Sequence, residues 1–334
     1  MKNYDAIIAG CGLSGSVIAR TIAQEAGKKV LILERRKHIG GNLYDFRNEA
    51  GILVHKYGPH AFHTNKKELF AYLCKYAQWK EFKLTCSVEM NGKLTPSPFN
   101  FQTIDDFYDK NQAAQIKDAL QKAYPGQTHA FVLDLLVHPD AQIRTYARFL
   151  YDYDYSLYTA KQWGIPPSQI DPGVLRRVPV RLNDHREYFE DTWQYLPVDS
   201  YTTFFKQLLQ HENIDICLGA DALKTVTLDE KKHKILVDHK EFQGIFVYTG
   251  AIDELFGQRY GPLPYRSLRF EWKTVQMKSY QQTPIVAYPQ AQGYTRITEY
   301  TKMPKQDTGN HTTYAVEYPV PYENSRGQEP YYPV

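Results

Sequence analysis

Three features of this 334-residue chain predict an α/β fold: a Rossmann-like domain with an inserted helical domain and an antiparallel β-sheet domain. The first is a strand–turn–helix signature at the start of the chain. The second is helical periodicity across residues 101–175. The third is a set of short alternating runs from about residue 176 onward.

The signature is an apolar run over 4–9, then Gly10-Cys11-Gly12-Leu13-Ser14-Gly15, then Val17-Ile18-Ala19. In this order the first glycine permits a tight turn and the second lets backbone approach a pyrophosphate. The third lets helix and strand pack closely, with the positive helix N-terminus aimed at the phosphates. A second strand over 29–33 ends at Glu34, whose carboxylate can accept hydrogen bonds from a ribose diol. The whole unit predicts a site for an adenine dinucleotide. Arg35-Arg36-Lys37-His38-Ile39-Gly40-Gly41-Asn42 follows. Its paired glycines predict a loop whose backbone passes close to a partner, and in flavin-binding Rossmann proteins that partner is the cofactor. An ordinary turn is the alternative.

Three histidines (His55, His60 and His63) crowd a Gly58-Pro59 turn. Asn65 with Glu68 predicts a capped helix entrance, and Leu69, Tyr72, Leu73 and Tyr76 carry the helix to about residue 77. Residues 81–100 alternate and turn at Asn91-Gly92, a hairpin signal. Residues 103–150 read as helices broken near Pro125-Gly126 and His138-Pro139, and a tyrosine cluster over 151–158 follows. Short extended runs come next, at Val178-Pro179-Val180 and 193–196. A helix capped by Asp199 or Ser200 carries Phe204, Phe205, Leu208 and Leu209 on one face. Residues 214–218 read as a strand rejoining the first sheet, 222–249 as a meander, and 265–272 and 294–300 as antiparallel strands. Residues 1–80 with 200–255 and 310–334 are expected to form the discontinuous Rossmann domain, and 101–175 the helical insert. Residues 81–100 with 176–199 and 256–309 are expected to form a substrate-binding antiparallel sheet. A cleft between them is the expected ligand site.

Lys and Arg number 40 against 37 Asp and Glu, so no large basic surface is forced and nucleic acid is not an expected partner. The four cysteines are widely spaced with no C-x-x-C pair, which suggests neither a zinc site nor a disulfide framework. No metal site is expected. The first residues already serve as a Rossmann strand, so neither signal peptide nor membrane insertion is expected, and the cytoplasm is the expected compartment. Tyrosine is abundant at 27 residues. Most should pack, and a minority can line a polar cleft.

Arg176-Arg177-Val178-Pro179-Val180-Arg181 gathers three guanidinium groups. Alternation puts them on different faces, so they cannot all serve one ligand. A planar guanidinium suits diphosphate oxygens, and Tyr294-Thr295-Arg296 offers a second cation. Surface ion pairs are the competing use of these arginines. Tyr158 and Trp163 add a phenol and an indole, the latter able to stack on a base or to pack on the helical core.

Taken in order, these blocks resemble the UDP-galactopyranose mutase family, prokaryotic branch. The resemblance rests on 10–15, 34–42, 55–64, 158–164 and 177–181, then on Tyr248-Thr249-Gly250-Ala251-Ile252-Asp253, Tyr265-Arg266-Ser267-Leu268, Tyr294-Thr295-Arg296 and Glu317-Tyr318-Pro319. It implies a non-redox flavoenzyme, an isomerase that interconverts UDP-galactopyranose and UDP-galactofuranose. The FAD must be reduced, its N5 acting as the nucleophile at the anomeric carbon and UDP as the leaving group. By position the resemblance implies Arg177 and Arg296 on the diphosphate, with Tyr188 and Tyr318 as phenols on the same phosphates. Tyr158 and Trp163 would contact uridine from a closing loop. The resemblance also implies that His60 would lie beside the flavin as a catalytic candidate, with His63 a weaker one. The cofactor site it implies comprises Gly10, Gly12, Leu13, Ser14, Gly15, Glu34, Arg35, Gly41, Asn42, Tyr57 and His60. An external reductant such as NAD(P)H is implied, a homodimer is compatible, and the usual product feeds cell-surface polysaccharide.

Two departures from the family pattern stand out. The chain stops at Val334, where family members continue through a further flavin-binding segment. Pro59 stands where alanine is usual and should stiffen the turn before His60. Two other readings are carried forward: a flavin-dependent oxidoreductase of the amine oxidase or desaturase type, and a nucleotide-sugar-binding remnant without activity.

Overall fold

The computed structural model describes residues 4–169, 171–176, 178–323 and 327–333. Two compact units emerge: residues 1–82 with 192–263, and residues 83–191 with 264–334.

The first unit is built on a four-stranded parallel sheet in the order Ile214–Leu218, Val30–Glu34, Ala6–Ala9, Ile245–Tyr248. The two central strands read AIIA and VLILE and are buried along their whole length. That is why they carry no polar alternation, for a parallel strand covered on both faces has no solvent side. One face holds Ile8, Ala19, Ala23, Val30, Ile32 and Leu209, beneath the helices Leu13–Glu25 and Tyr201–Leu209. The other face holds Ile7, Leu31, Leu33, Val226 and Val237, beneath an antiparallel meander of Val226–Asp229, Lys234–Val237 and Lys240–Phe242. Ser200 caps the Tyr201–Leu209 helix, its Oγ accepting from Thr203 N at 2.9 Å. The N–H groups of Tyr201 and Thr202 donate to the buried Asp45 carboxylate at 2.7 and 2.8 Å. Three orphan donors of that helix start are thereby satisfied.

A second small sheet pairs Trp193–Pro197 with Phe62–Thr64 and Trp79–Glu81. Residues 192–199 therefore belong to the first unit, not to the substrate sheet as expected. The pairing also corrects the cap at Asn65. Its Oδ1 accepts from the backbone N–H of Thr192 at 2.9 Å, and the adjacent helix, Lys67–Leu73, starts without a side-chain cap. A partner 127 residues away outcompeted the local one.

The second unit carries a seven-stranded sheet in the order Tyr332–Pro333, Tyr265–Val275, Thr312–Pro321, Arg296–Glu299, Ile285–Ala287, Cys86–Met90, Lys93–Ser97. It is antiparallel except for one pair, Ile285–Ala287 with Cys86–Met90. Thr312–Pro321 sits inside this sheet, bonded to Tyr265–Val275 on one side and Arg296–Glu299 on the other. That corrects the assignment of 310–334 to the Rossmann domain. The 86–97 hairpin turns through Asn91 and Gly92 with φ of 51° and 75°, the pair of left-handed conformations that a two-residue hairpin favours.

The helices of this unit form one core with Leu120, Val132, Leu135, Ile143, Tyr146 and Leu150 at its centre. The helix Ala141–Leu150 runs through a π turn, Tyr151–Tyr155, into the helix Ser156–Trp163. The Ser156–Trp163 helix packs against the Thr312–Pro321 strand. Among the described residues no helix is long and apolar enough to cross a membrane.

Candidate functional site

Close backbone approach defines the candidate cofactor site of the first unit. Gly10 has φ +104°, and a Cβ there would lie 2.2 Å from Thr249 Oγ1. A Cβ at Gly15 would lie 2.1 Å from the Gly10 carbonyl oxygen, so helix and turn touch with no room for a side chain. Gly41 has φ +56°, and a Cβ there would lie 2.8 Å from Gly12 Cα. Gly40 N donates to Cys11 O at 2.9 Å. The two glycine loops are therefore stitched backbone to backbone. Gly12 itself is different, because a Cβ there meets only Gly41 Cα at 3.8 Å, an ordinary contact. Its lack of a side chain is not demanded by the protein's own packing. The helix Leu13–Glu25 begins at Gly12 with no side-chain cap, and Leu13 and Ser14 are exposed. An uncapped helix start with bare glycine before it is an anion cradle, and these residues fit the pyrophosphate of a dinucleotide.

Glu34 ends its strand almost fully buried. Its two carboxylate oxygens accept from Cys11 N at 2.7 Å and Arg36 N at 2.8 Å. The carboxylate thus braces both loops, and two oxygens with about four lone-pair sites retain capacity for a diol. Burial pushes the neighbouring Cys11 thiol up to about 11, so it stays protonated and inert.

The loop beyond Glu34 orders its side chains around Tyr57. The Arg36 guanidinium lies 4.2 Å from the Tyr57 ring centroid and donates to Asn42 Oδ1 at 3.0 Å. His38 Nε2 bonds the Tyr57 hydroxyl at 2.7 Å and stacks on Tyr44 at 3.8 Å. Burial pushes the His38 imidazole down and favours its neutral form. Arg35, expected at the cofactor, pairs with Glu254 at 3.3 Å and keeps a side chain 45% exposed. Its neighbour Arg36 turns toward Asn42.

His60 is half-buried. Its Nδ1 lies 2.9 Å from Gly58 O, and its backbone N–H donates to His55 Nδ1 at 3.1 Å. His55 is fully enclosed, and burial, reinforced by the charge of His60, lowers its imidazole to about 3. His63 is exposed on the Phe62–Thr64 strand.

A separate candidate surface lies on the seven-stranded sheet of the second unit. Arg296 Nε donates to Glu317 Oε2 at 2.8 Å across directly paired strands. The Arg296 side chain is 25% exposed and Glu317 only 2%, so the carboxylate anchors a guanidinium that still reaches solvent. Burial pushes the Tyr188 phenol up and the charges of Arg296 and Arg181 pull it back. Tyr188 and Arg296 are therefore within electrostatic reach of each other. Tyr318 OH donates to Glu271 at 3.1 Å, and the Arg269 guanidinium lies 4.1 Å from the Tyr318 ring centroid.

Arg176 and Arg181 of the arginine cluster hold different partners, one at the end of a short helix and the other in a strand. Arg181 is buried and donates to the carbonyls of His185, Glu187 and Tyr188, so it builds the loop that carries Tyr188. Arg176 pairs with Asp134 at 2.9 Å. Arg177, the arginine expected at the diphosphate, lies outside the described residues. Its neighbour Val178 accepts a 2.8 Å hydrogen bond from Tyr155 OH. Tyr158 and Trp163 stand on the Ser156–Trp163 helix, not on a loop as expected. Their helix also carries Lys161, which the sequence gave no reason to select.

A parallel sheet with an uncapped glycine-rich helix start defines a dinucleotide-binding protein of the Rossmann class. A profile described as an NAD(P)-binding Rossmann-like domain matches residues 8–76. The profile described as UDP-galactopyranose mutase matches residues 155–334. The chain is 33% identical over 339 residues to the UDP-galactopyranose mutase of Mycoplasma pneumoniae, covering 100% of this chain and 84% of the relative. It is 34% identical over 296 residues to the dTDP-fucopyranose mutase of Escherichia coli, covering 88% of this chain and 76% of the relative. A crystal structure of reduced UDP-galactopyranose mutase shares the fold, with a TM-score of 0.68 at 16% identity, covering 97% of this chain and 77% of that one.

This chain belongs to the UDP-galactopyranose mutase family and is an isomerase of that type.

Proposed function

We propose that the protein interconverts UDP-galactopyranose and UDP-galactofuranose, with reduced FAD held by the first unit. One observation carries the reading. The family match covers residues 155–334, the stretch that places Arg296 on its buried Glu317 anchor. An amine oxidase or desaturase shares the glycine cradle but has no need of a solvent-reaching arginine fixed by a buried carboxylate.

When bound, reduced FAD supplies a nucleophilic nitrogen for the anomeric carbon. In the first unit, the N–H groups at Leu13 and Ser14 and the bare backbone of Gly10, Gly12 and Gly15 bind the pyrophosphate. Glu34 accepts from the ribose. Gly41, Asn42, Arg36 and Tyr57 line the second glycine loop, and His60 sits at its histidine-rich neighbour. In the second unit, Arg296 neutralises charge that grows on the departing diphosphate, the kind of contact worth most in the transition state. Arg177 shares that task in this reading, and Tyr188 and Tyr318 donate phenolic protons to the same oxygens. Tyr158 and Trp163 hold the nucleoside. An external reductant such as NAD(P)H keeps the cofactor reduced, the cytoplasm is the compartment, and the furanose product serves surface polysaccharide.

A second reading, a dTDP-6-deoxyhexose substrate, is favoured by the Escherichia coli relative alone. Calorimetric titration separates the two. UDP should bind, and more tightly after reduction by dithionite, with dTDP at least ten-fold weaker. The reverse ranking would move the substrate to the thymidine series. Binding of neither would leave the inactive remnant as the better account.

A further inference from the structure

Lys161 lies on the same short helix as Tyr158 and Trp163, and its ammonium is fully committed. It donates to the carbonyl oxygens of Tyr288, Ala291 and Tyr294, each at 2.7 Å. An ammonium has three donors and no acceptor, so all three are spent on one loop. That loop joins the paired strands Ile285–Ala287 and Arg296–Glu299. Its own backbone closes it at Tyr288 N to Thr295 O, 2.8 Å. Gly293 turns it with φ +83°, and a Cβ there would lie 3.8 Å from the edge of the Tyr318 ring. The Tyr294 ring meets Tyr318 edge-on at 6.0 Å, and Arg296 follows two residues later.

We propose that Lys161 is a positioning residue for the sugar-nucleotide site: it ties the helix bearing Tyr158 and Trp163 to the loop presenting Tyr294 and Arg296. The aromatic and cationic groups then move as one body. This rests on the reading of that surface as the site for the nucleotide sugar. A surface lysine would hold its charge in water, whereas this one is half-buried and replaces its hydration with three carbonyls from a single turn. A hydrophobic residue could pack a helix against a sheet. Only a three-donor cation fixes the carbonyl directions of the turn as well.

The groups facing Lys161 are few. Asp154, two turns earlier on the same helical run, stabilises its charge electrostatically. Tyr288 and Tyr294 face it from the loop. Burial lowers the ammonium to about 8. A neutral amine has two N–H donors, so one carbonyl loses its partner as the group deprotonates.

The test is hydrogen exchange of the full chain, with calorimetric UDP titration, on wild type, Lys161→Met and Lys161→Arg. In Lys161→Met, amides of 288–294 should exchange at least ten-fold faster while the 86–97 hairpin is unchanged, and the UDP Kd should rise about ten-fold. In wild type the Kd should rise above pH 8, and Lys161→Arg, which keeps its charge, should flatten that rise. Unchanged exchange in 288–294, or faster exchange with an unchanged UDP Kd, would overturn the proposal. If Lys161→Met unfolds, the pH series on wild type and Lys161→Arg decides it, and identical pH profiles would overturn it. Failure of wild type to bind UDP at any pH would overturn the substrate reading, with the loop exchange still reporting the tether.

Discussion

Arg296 and Glu317 occupy directly opposed positions on neighbouring antiparallel strands, 2.8 Å from Nε to Oε2. Glu317 Oε1 has no hydrogen-bond partner among the described residues. A buried carboxylate with half its capacity unused is costly, and it persists because the other half fixes a guanidinium. Replacing Arg296 by Ala should lower kcat about 10²–10³-fold, the usual loss for a donor aimed at developing charge. Flavin content should be unchanged, since the glycine cradle belongs to the other unit. Loss of flavin, read from the 450 nm band, would show that the residue is misplaced in this account. Glu317→Gln should give a smaller loss, with KM rising more than kcat falls.

The glycines divide into structural and ligand-facing positions. Gly15→Ala drives a Cβ to 2.1 Å from a backbone oxygen and should destabilise by several kcal/mol, in line with overpacking costs of about 1–3 kcal/mol or more. Gly12→Ala meets nothing closer than 3.8 Å. It should leave the melting temperature of the cofactor-free protein unchanged while weakening flavin retention at least ten-fold. Equal effects of the two changes on stability would remove the distinction.

His55 predicts a pH dependence of stability. Its imidazole is held at about 3 in the folded protein and returns to about 6.5 when unfolded. Below pH 6.5 the unfolded chain binds the extra proton, so stability is complete above that value. It falls by about 1.4 kcal/mol per pH unit as pH drops toward 3. Urea unfolding at pH 7.5 and 5.5 should show that loss in wild type and less of it in His55→Asn.

Tyr155 closes a bond to the carbonyl of Val178 from a largely buried ring. Tyr155→Phe should cost about 1 kcal/mol of stability. It should also raise KM several-fold, because the bond fixes the backbone next to Arg177. A KM unchanged within two-fold would detach Arg177 from the substrate.

Local signals were legible in the sequence. The strand–glycine–helix unit and the Asn91-Gly92 hairpin depend on a few adjacent residues and formed as read, and of the two cap candidates, Asp199 and Ser200, the structure uses Ser200. Assignments that depend on distant partners were not legible. Asn65 bonds Thr192, and Thr312–Pro321, expected in the Rossmann domain, pairs with Tyr265–Val275 and Arg296–Glu299 in the other unit. Pairing between strands is a tertiary choice that alternation alone does not specify. Tyr188 and Tyr318 rest on the family resemblance alone, while Lys161 carries no local signal because only folding surrounds it with carbonyls.

The most direct test is chromatography of flavin-saturated, dithionite-reduced protein incubated with UDP-galactofuranose. UDP-galactopyranose should appear and grow to an equilibrium in which it dominates, with no net change in flavin oxidation state. A flat chromatogram with the flavin fully bound and reduced would contradict the account.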